Sequence, residues 1–175
     1  EEDSDVDMLE ETTKTQPEVF ISVSNLYTLD RQYASNMQWW PQAQDGLNIG
    51  NNMSVAGFID VRADRESDGG NPFAMHKDES LRDAVCEACE EWLQAASMPN
   101  MRAIADRHRV KPIKEKITKE AFEAMRLWLS KLQTRLQRGQ HLMLWCWCYP
   151  SRCHCLAVAQ MLDKATPSAS FIPRE

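Results

Sequence analysis

Hydrophobic positions change their spacing several times along the chain, and each change marks an element. Val19, Phe20, Ile21 and Val23 form a short, β-branched apolar run of the kind that makes a buried strand. Residues 25–52 are polar and punctuated by Trp39-Trp40-Pro41, Gly46 and Gly50, which predicts a long loop with one short helical piece. Ser54 to Val61 reads as a second strand. It runs into Arg62, Asp64 and Arg65 and then into Gly69-Gly70-Asn71-Pro72-Phe73, where two glycines break regular structure and Pro72 pushes Asn71 towards an extended backbone. Phe73 closes that turn as an anchor against the core.

From Leu81 the apolar residues recur at three- and four-residue steps: Leu81, Ala84, Val85, Ala88, Cys89 and Trp92. This spacing predicts an amphipathic helix that ends near Pro99. A short helix follows over 101–110, stopped before Pro112. A long one begins at a Thr118 cap, carries Ala121, Phe122, Met125, Leu129, Leu132 and Leu136 as its stripe, and ends before Gly139. The dense apolar run Leu142 to Trp147 has strand length. A turn at 149–151 then leads into a short apolar helix over 153–162.

Strands separated by helices predict an α/β fold with a small, partly parallel sheet of about three or four strands flanked by helices. Three regions are expected: an acidic, disordered tail over 1–17, one α/β domain over 18–164, and a C-terminal tail over 165–175. Ligands in such folds sit in loops at the carboxyl ends of strands. Two unusual segments, Arg62 to Phe73 and Cys146 to Cys155, both follow predicted strands, so the sequence points to one site built from both.

Length and composition narrow the class. A chain of 175 residues suits one domain, and 43% apolar content suits a globular core. Lys and Arg number 20 against 26 Asp and Glu, a net charge of -6, which argues against nucleic acid or an anionic membrane as partner. The one basic stretch, Arg107, Arg109, Lys111, Lys114, Lys116 and Lys119 with His108, reads as solvated surface. No apolar run approaches membrane-spanning length, and the acidic N-terminus lacks a secretory pattern. An intracellular, cytoplasmic location is therefore expected, with the cysteines reduced.

Four of the six cysteines fall between residues 146 and 155, and several chemistries compete for them. As metal ligands, Cys146, Cys148 and Cys153, with His154, Cys155, Cys86 and Cys89 near in sequence, are soft donors suited to zinc; on a strand, Cys146 and Cys148 share a face. As a nucleophile, Cys146 with Arg152 has the Cys-x5-Arg spacing of cysteine phosphatases. Against that, Pro150 removes a backbone N–H from a loop that contains no glycine. As a pocket for a small-molecule or nucleotide-like ligand, the same loops offer Arg62 and Arg152 as anion clamps and His154 as a general acid or base. Asn71 would orient the ligand, with Phe73 beside it. As plain packing, Trp145, Cys146, Trp147 and Cys148 belong to a buried strand. The ligand site is the leading expectation, enzymatic or not. A non-catalytic, zinc-stabilised interaction module is the alternative.

Residues 57–73, the Glu90-Glu91-Trp92-Leu93 helix end, and residues 142–162 resemble a family known as domain of unknown function DUF4326. The resemblance rests on the Gly70-Asn71-Pro72-Phe73 turn and on Cys146, Cys148, Pro150, Cys153 and His154, and spans roughly Val19 to Leu162. It implies a fold and a site location without a reaction. The chain departs from the family pattern in two places: Cys155 and Leu156 stand where Gly and an acid are usual, and Asp60 or Val61 stands where a Gly precedes Arg62.

Overall fold

The computed structural model describes residues 18–25, 40–50, 57–148, 151–167 and 169–172. The acidic tail over 1–17, the loop over 26–39 with Trp39, the first residues of the second predicted strand, and Tyr149-Pro150 lie outside the described residues.

The framework is a four-stranded sheet in the order β2-β5-β1-β6, with all neighbours parallel. Its strands are β1 (Val19–Asn25), β2 (Phe58–Arg62), β5 (His141–Cys146) and β6 (Ala169–Phe171). β1 and β5 occupy the centre and are buried along most of their length on both faces. β5 is the near-continuous apolar run that such positions select, whereas β1 buries Ser22 and Ser24 on the face opposite Ile21 and Val23. The register sets Ile21 beside Leu142 and Val23 beside Leu144, so the two hydrophobic runs lie level and end together at Asn25 and Cys146. Residues 169–171, expected in a tail, instead extend the sheet as β6 along β1.

The helices are α1 (Arg82–Gln94), α2 (Met101–His108), α3 (Lys119–Gln137) and α4 (His154–Ala165). A 3-10 turn over Glu79–Leu81, capped by Asp78, leads into α1. Asn100 caps α2 and Thr118 caps α3, each side-chain oxygen accepting a backbone N–H three residues on. Gly139 takes a φ of 85° just beyond α3, the left-handed conformation that glycine supplies at helix ends. The start of α4 differs. Its N-cap is Cys153, which makes no capping bond to the helix.

A short antiparallel pair, β3 (Phe73–Ala74) and β4 (Lys111–Pro112), ties the Gly-Asn-Pro-Phe turn to the segment between α2 and α3. α4 packs on β1 and β5 and touches α1 and α3, so the helix that follows the cysteine segment is held in the core. Phe73, Trp92, Met125, Leu132 and Leu144 are all at most 1% exposed within it. Among the described residues, no helix is long and apolar enough to cross a membrane.

A buried polar contact links two strands of this core. The Trp145 indole N–H donates to Asp60 Oδ1 at 2.8 Å, joining β5 to β2 with both residues at most 1% exposed. Asp60→Val leaves that indole without this acceptor, at an expected cost of about 1–3 kcal/mol. Asp60→Asn keeps an oxygen in place and loses less. Urea denaturation of the two variants measures the difference, and equal midpoints would show that the bond contributes nothing.

Candidate functional site

The carboxyl ends of β2 and β5 are level, because Arg62 pairs with Trp145 and the Ala63 amide donates to the Trp145 carbonyl at 3.1 Å. Three segments therefore converge there: the loop after β2, the residues after β5, and the start of α4. Between them and α1 lies a cavity of about 260 Å³. Its walls are Asp64, Arg65 and Glu66 after β2, Cys146, Trp147 and Cys148 after β5, and Arg152, Cys153 and His154 at α4. Asn71, Met75, Arg82, Val85 and Cys86 complete it. The two segments singled out on sequence thus share one cavity.

The loop after β2 is tightly wound. Ser67 N–H and hydroxyl both donate to the Asp64 carbonyl, and Gly70 N–H donates to the Ser67 carbonyl. A Cβ on Gly70 would collide with the Arg65 backbone, and one on Gly69 with the Trp128 ring, so both positions exclude larger residues sterically. Asn71, 3% exposed, holds the turn from inside: its Nδ2 donates to the Val85 carbonyl at 3.1 Å, and its Oδ1 accepts the Phe73 N–H at 2.9 Å. Asn71 does reach the cavity wall, with both ends of its amide engaged by backbone. Phe73 is wholly buried in the core and is not part of the cavity lining.

The arginines divide by partner. Arg62 is held by Asp64 at 2.8 Å and by Glu66 at 3.0 Å, and it is not among the lining residues. Arg152 does line the cavity, facing Asp83, Glu87 and Glu90 of α1 at 3.2–3.6 Å. Arg82 is paired with Glu79 at 2.7 Å and donates to the Arg152 carbonyl at 3.1 Å. Arg65 is different. Its guanidinium donates to the Phe73 carbonyl at 2.6 Å and the Asn71 carbonyl at 3.3 Å, and no carboxylate among the described residues forms an ion pair with it. Burial, with this guanidinium next, holds the Lys116 amine below its ordinary pKa, so the charge on Arg65 is felt around it. Sequence reasoning named Arg62 and Arg152 as clamps; Arg152 lines the cavity and Arg62 does not. A strand that ends at Arg62 and a loop that turns at Asp64 carry Arg65 into the lining.

His154, 5% exposed, contacts the Ala63 carbonyl through Nε2 at 2.8 Å. A carbonyl only accepts, so Nε2 carries the proton and Nδ1 does not. Burial lowers the His154 pKa and outweighs the opposing effects of Cys146 and the Ala63 carbonyl, so the ring is neutral at pH 7. Cys155 donates to the same carbonyl at 3.2 Å.

Among the thiols, the structure gathers Cys146, Cys153 and Cys155, whose sulfur atoms all lie within 4.8 Å of one another and could hold a metal ion. Cys146 and Cys153 are 3.4 Å apart. Cys148, expected in this set, stands apart on the cavity wall, partly exposed. Cys155 takes the third place. Cys153 is extended (φ -143°, ψ 163°) and Cys155 is helical, and this break brings both sulfurs to one side. Hydrogen bonding to Cys146 and burial raise the Cys153 thiol pKa; burial alone dominates for Cys155 and pushes Cys86 up to about 11.

The lowered His154 pKa sets a direction for stability. The unfolded chain binds a proton at an ordinary histidine value near 6.5 and the folded chain resists it, so the contribution is complete above that value and declines as pH falls below it. His154→Gln should flatten the change in melting temperature between pH 7 and pH 5 relative to the parent. Parallel slopes for the two proteins would contradict a neutral, buried His154.

No curated protein and no solved structure matches this chain. Residues 50–164 match the model of a domain of unknown function, DUF4326, and this stretch holds both cavity loops and all six cysteines. With well over half of its length matched, the chain belongs to the DUF4326 family.

Proposed function

We propose that the domain binds a small anionic molecule, phosphorylated or nucleotide-like, in the cavity at the ends of β2 and β5. The observation that carries this reading is Arg65. Its guanidinium is oriented by two backbone carbonyls, lines the cavity and has no carboxylate ion pair among the described residues. A half-buried charge held this way favours an anionic partner. The amino end of α4 adds backbone N–H groups on the same side. Trp147, exposed at 41% on the cavity lining, offers a flat apolar surface for a ring. Arg152 serves as the second cation of the wall, and any acid–base work by His154 falls to Nδ1. The six cysteines are thiols rather than disulfides, which fits a cytoplasmic, reducing setting.

The three-thiol group favours a second reading, a zinc-stabilised interaction module in which the metal holds the end of β5 against the start of α4. In that case the cavity is incidental and chelation alone unfolds the domain.

Thermal-shift measurements with inorganic phosphate and adenosine monophosphate test the ligand reading. A ligand that binds only the folded state, at a hundred times its Kd, stabilises by about 2.7 kcal/mol. Arg65→Met should weaken binding by about tenfold or more, since a charge-assisted hydrogen bond contributes about 1.5–3 kcal/mol. Arg138→Met, which removes the same charge from the exposed end of α3, should leave binding unchanged. No shift with either compound, or equal losses in the two variants, would defeat the reading.

A further inference from the structure

The three clustered thiols differ in where they stand. Cys146 and Cys153 line the cavity, whereas Cys155 lies behind them against the Ala63 carbonyl. All three are at most 3% exposed, and they come from two elements positioned independently by the sheet and by helix packing. Soft, preorganised sulfur donors of this kind select a soft or borderline cation.

A structural zinc site closes on four protein ligands, and the candidates for a fourth are few. His154 is nearest, with Nε2 at 3.6 Å from Cys155 Sγ, but its ring nitrogens fall outside the group of donors that lie within 4.8 Å of one another. Cys148 lies outside the group. Three protein ligands with one position left over is the pattern of zinc sites that bind an exchangeable ligand.

We propose that Cys146, Cys153 and Cys155 bind one zinc ion whose remaining position opens to the cavity, so that metal and Arg65 together receive the oxyanion of the ligand. Binding forms three Zn–S bonds, releases three protons to solvent and moves no electrons, leaving a centre of net charge -1 before the fourth ligand enters. The open-position half of this proposal deepens the cavity reading and rests on it; the metal half stands without it.

The test uses the full chain, purified under thiol reductant, with the zinc content measured and the metal then removed by chelation. Cobalt(II) titration should give a thiolate charge-transfer band that saturates at one equivalent, with visible bands of a four-coordinate ion. Cys155→Ser should lose at least about tenfold in cobalt affinity. Cys89→Ser, a buried helix cysteine outside the group, should match the parent. Inorganic phosphate should then shift the visible bands of the cobalt-loaded parent. A parent protein that shows no stoichiometric thiolate band overturns the metal site without relying on any variant. If the band forms but ignores phosphate, while phosphate still raises the melting temperature of the metal-free protein, the open position is overturned and the cavity reading survives. A cobalt spectrum insensitive to phosphate, with no thermal shift in either form, overturns the open position and the cavity reading together.

Discussion

The backbone carbonyl of Ala63 holds the site together. It is the first residue beyond β2, its own amide bonds to β5, and its oxygen accepts from both His154 and Cys155 at the start of α4. One residue thus joins two strands and a helix. Through it, the tautomer of His154 and the place of Cys155 at the start of α4 follow from one acceptor. A helix whose first residue makes no side-chain cap would otherwise be poorly fixed at this end. Here the ring and thiol that follow the N-cap anchor it to the neighbouring strand.

Charge arrangement around the cavity reflects the same economy of elements. α1 presents Asp83, Glu87 and Glu90 towards Arg152, and the loop after β2 closes Asp64 and Glu66 on Arg62. The half-exposed Arg152 pairs contribute little to stability, whereas the Arg62–Asp64 pair is largely buried. Their common effect is to balance the charge of both cations. Arg65 differs because its orienting partners are carbonyls, which fix its direction without cancelling its charge. The acidic chain therefore carries a local positive site, and neither net charge nor the clustering of basic residues in sequence reveals it.

Much of the architecture was legible in the sequence, for definite reasons. The three- and four-residue steps of α1 and α3, the Thr118 cap and Gly139 are local signals, and local signals survive folding. So did the convergence of the two loops, because the ends of neighbouring parallel strands must lie together. Residues 169–171 were hidden because three residues carry too little periodicity to reveal a strand. The β3–β4 pair, two residues a side, was hidden for the same reason. At the site, the sequence reading set Cys146, Cys148 and Cys153 foremost and kept Cys155 only among the nearby donors, whereas the structure groups Cys155 with Cys146 and Cys153. Two residues apart, 153 and 155 would diverge on a regular helix, and only the extended backbone at Cys153 reunites them. Arg62 and Arg152, and not Arg65, were the clamps named on sequence; which arginine of the loop enters the cavity depends on where the strand stops.

The strand order has a consequence for how the chain reaches this state. β1 is the first described strand to be synthesised, yet its neighbours on either side are β5 and β6, the last two. Helices α1 to α3 rest on local contacts and can form while the chain is still emerging. β1, with Val19, Ile21 and Val23 along one face, must wait without these neighbours until Leu142 and then Phe171 arrive. Parallel pairings this distant in sequence are the slow steps of folding, and an unpaired apolar strand is the species that aggregates. The assembly of the site is therefore a terminal event. Cys146, at the end of β5, is fixed opposite Cys153 and Cys155 only when β5 enters between β1 and β2, so the thiol group takes its final geometry as the sheet is completed.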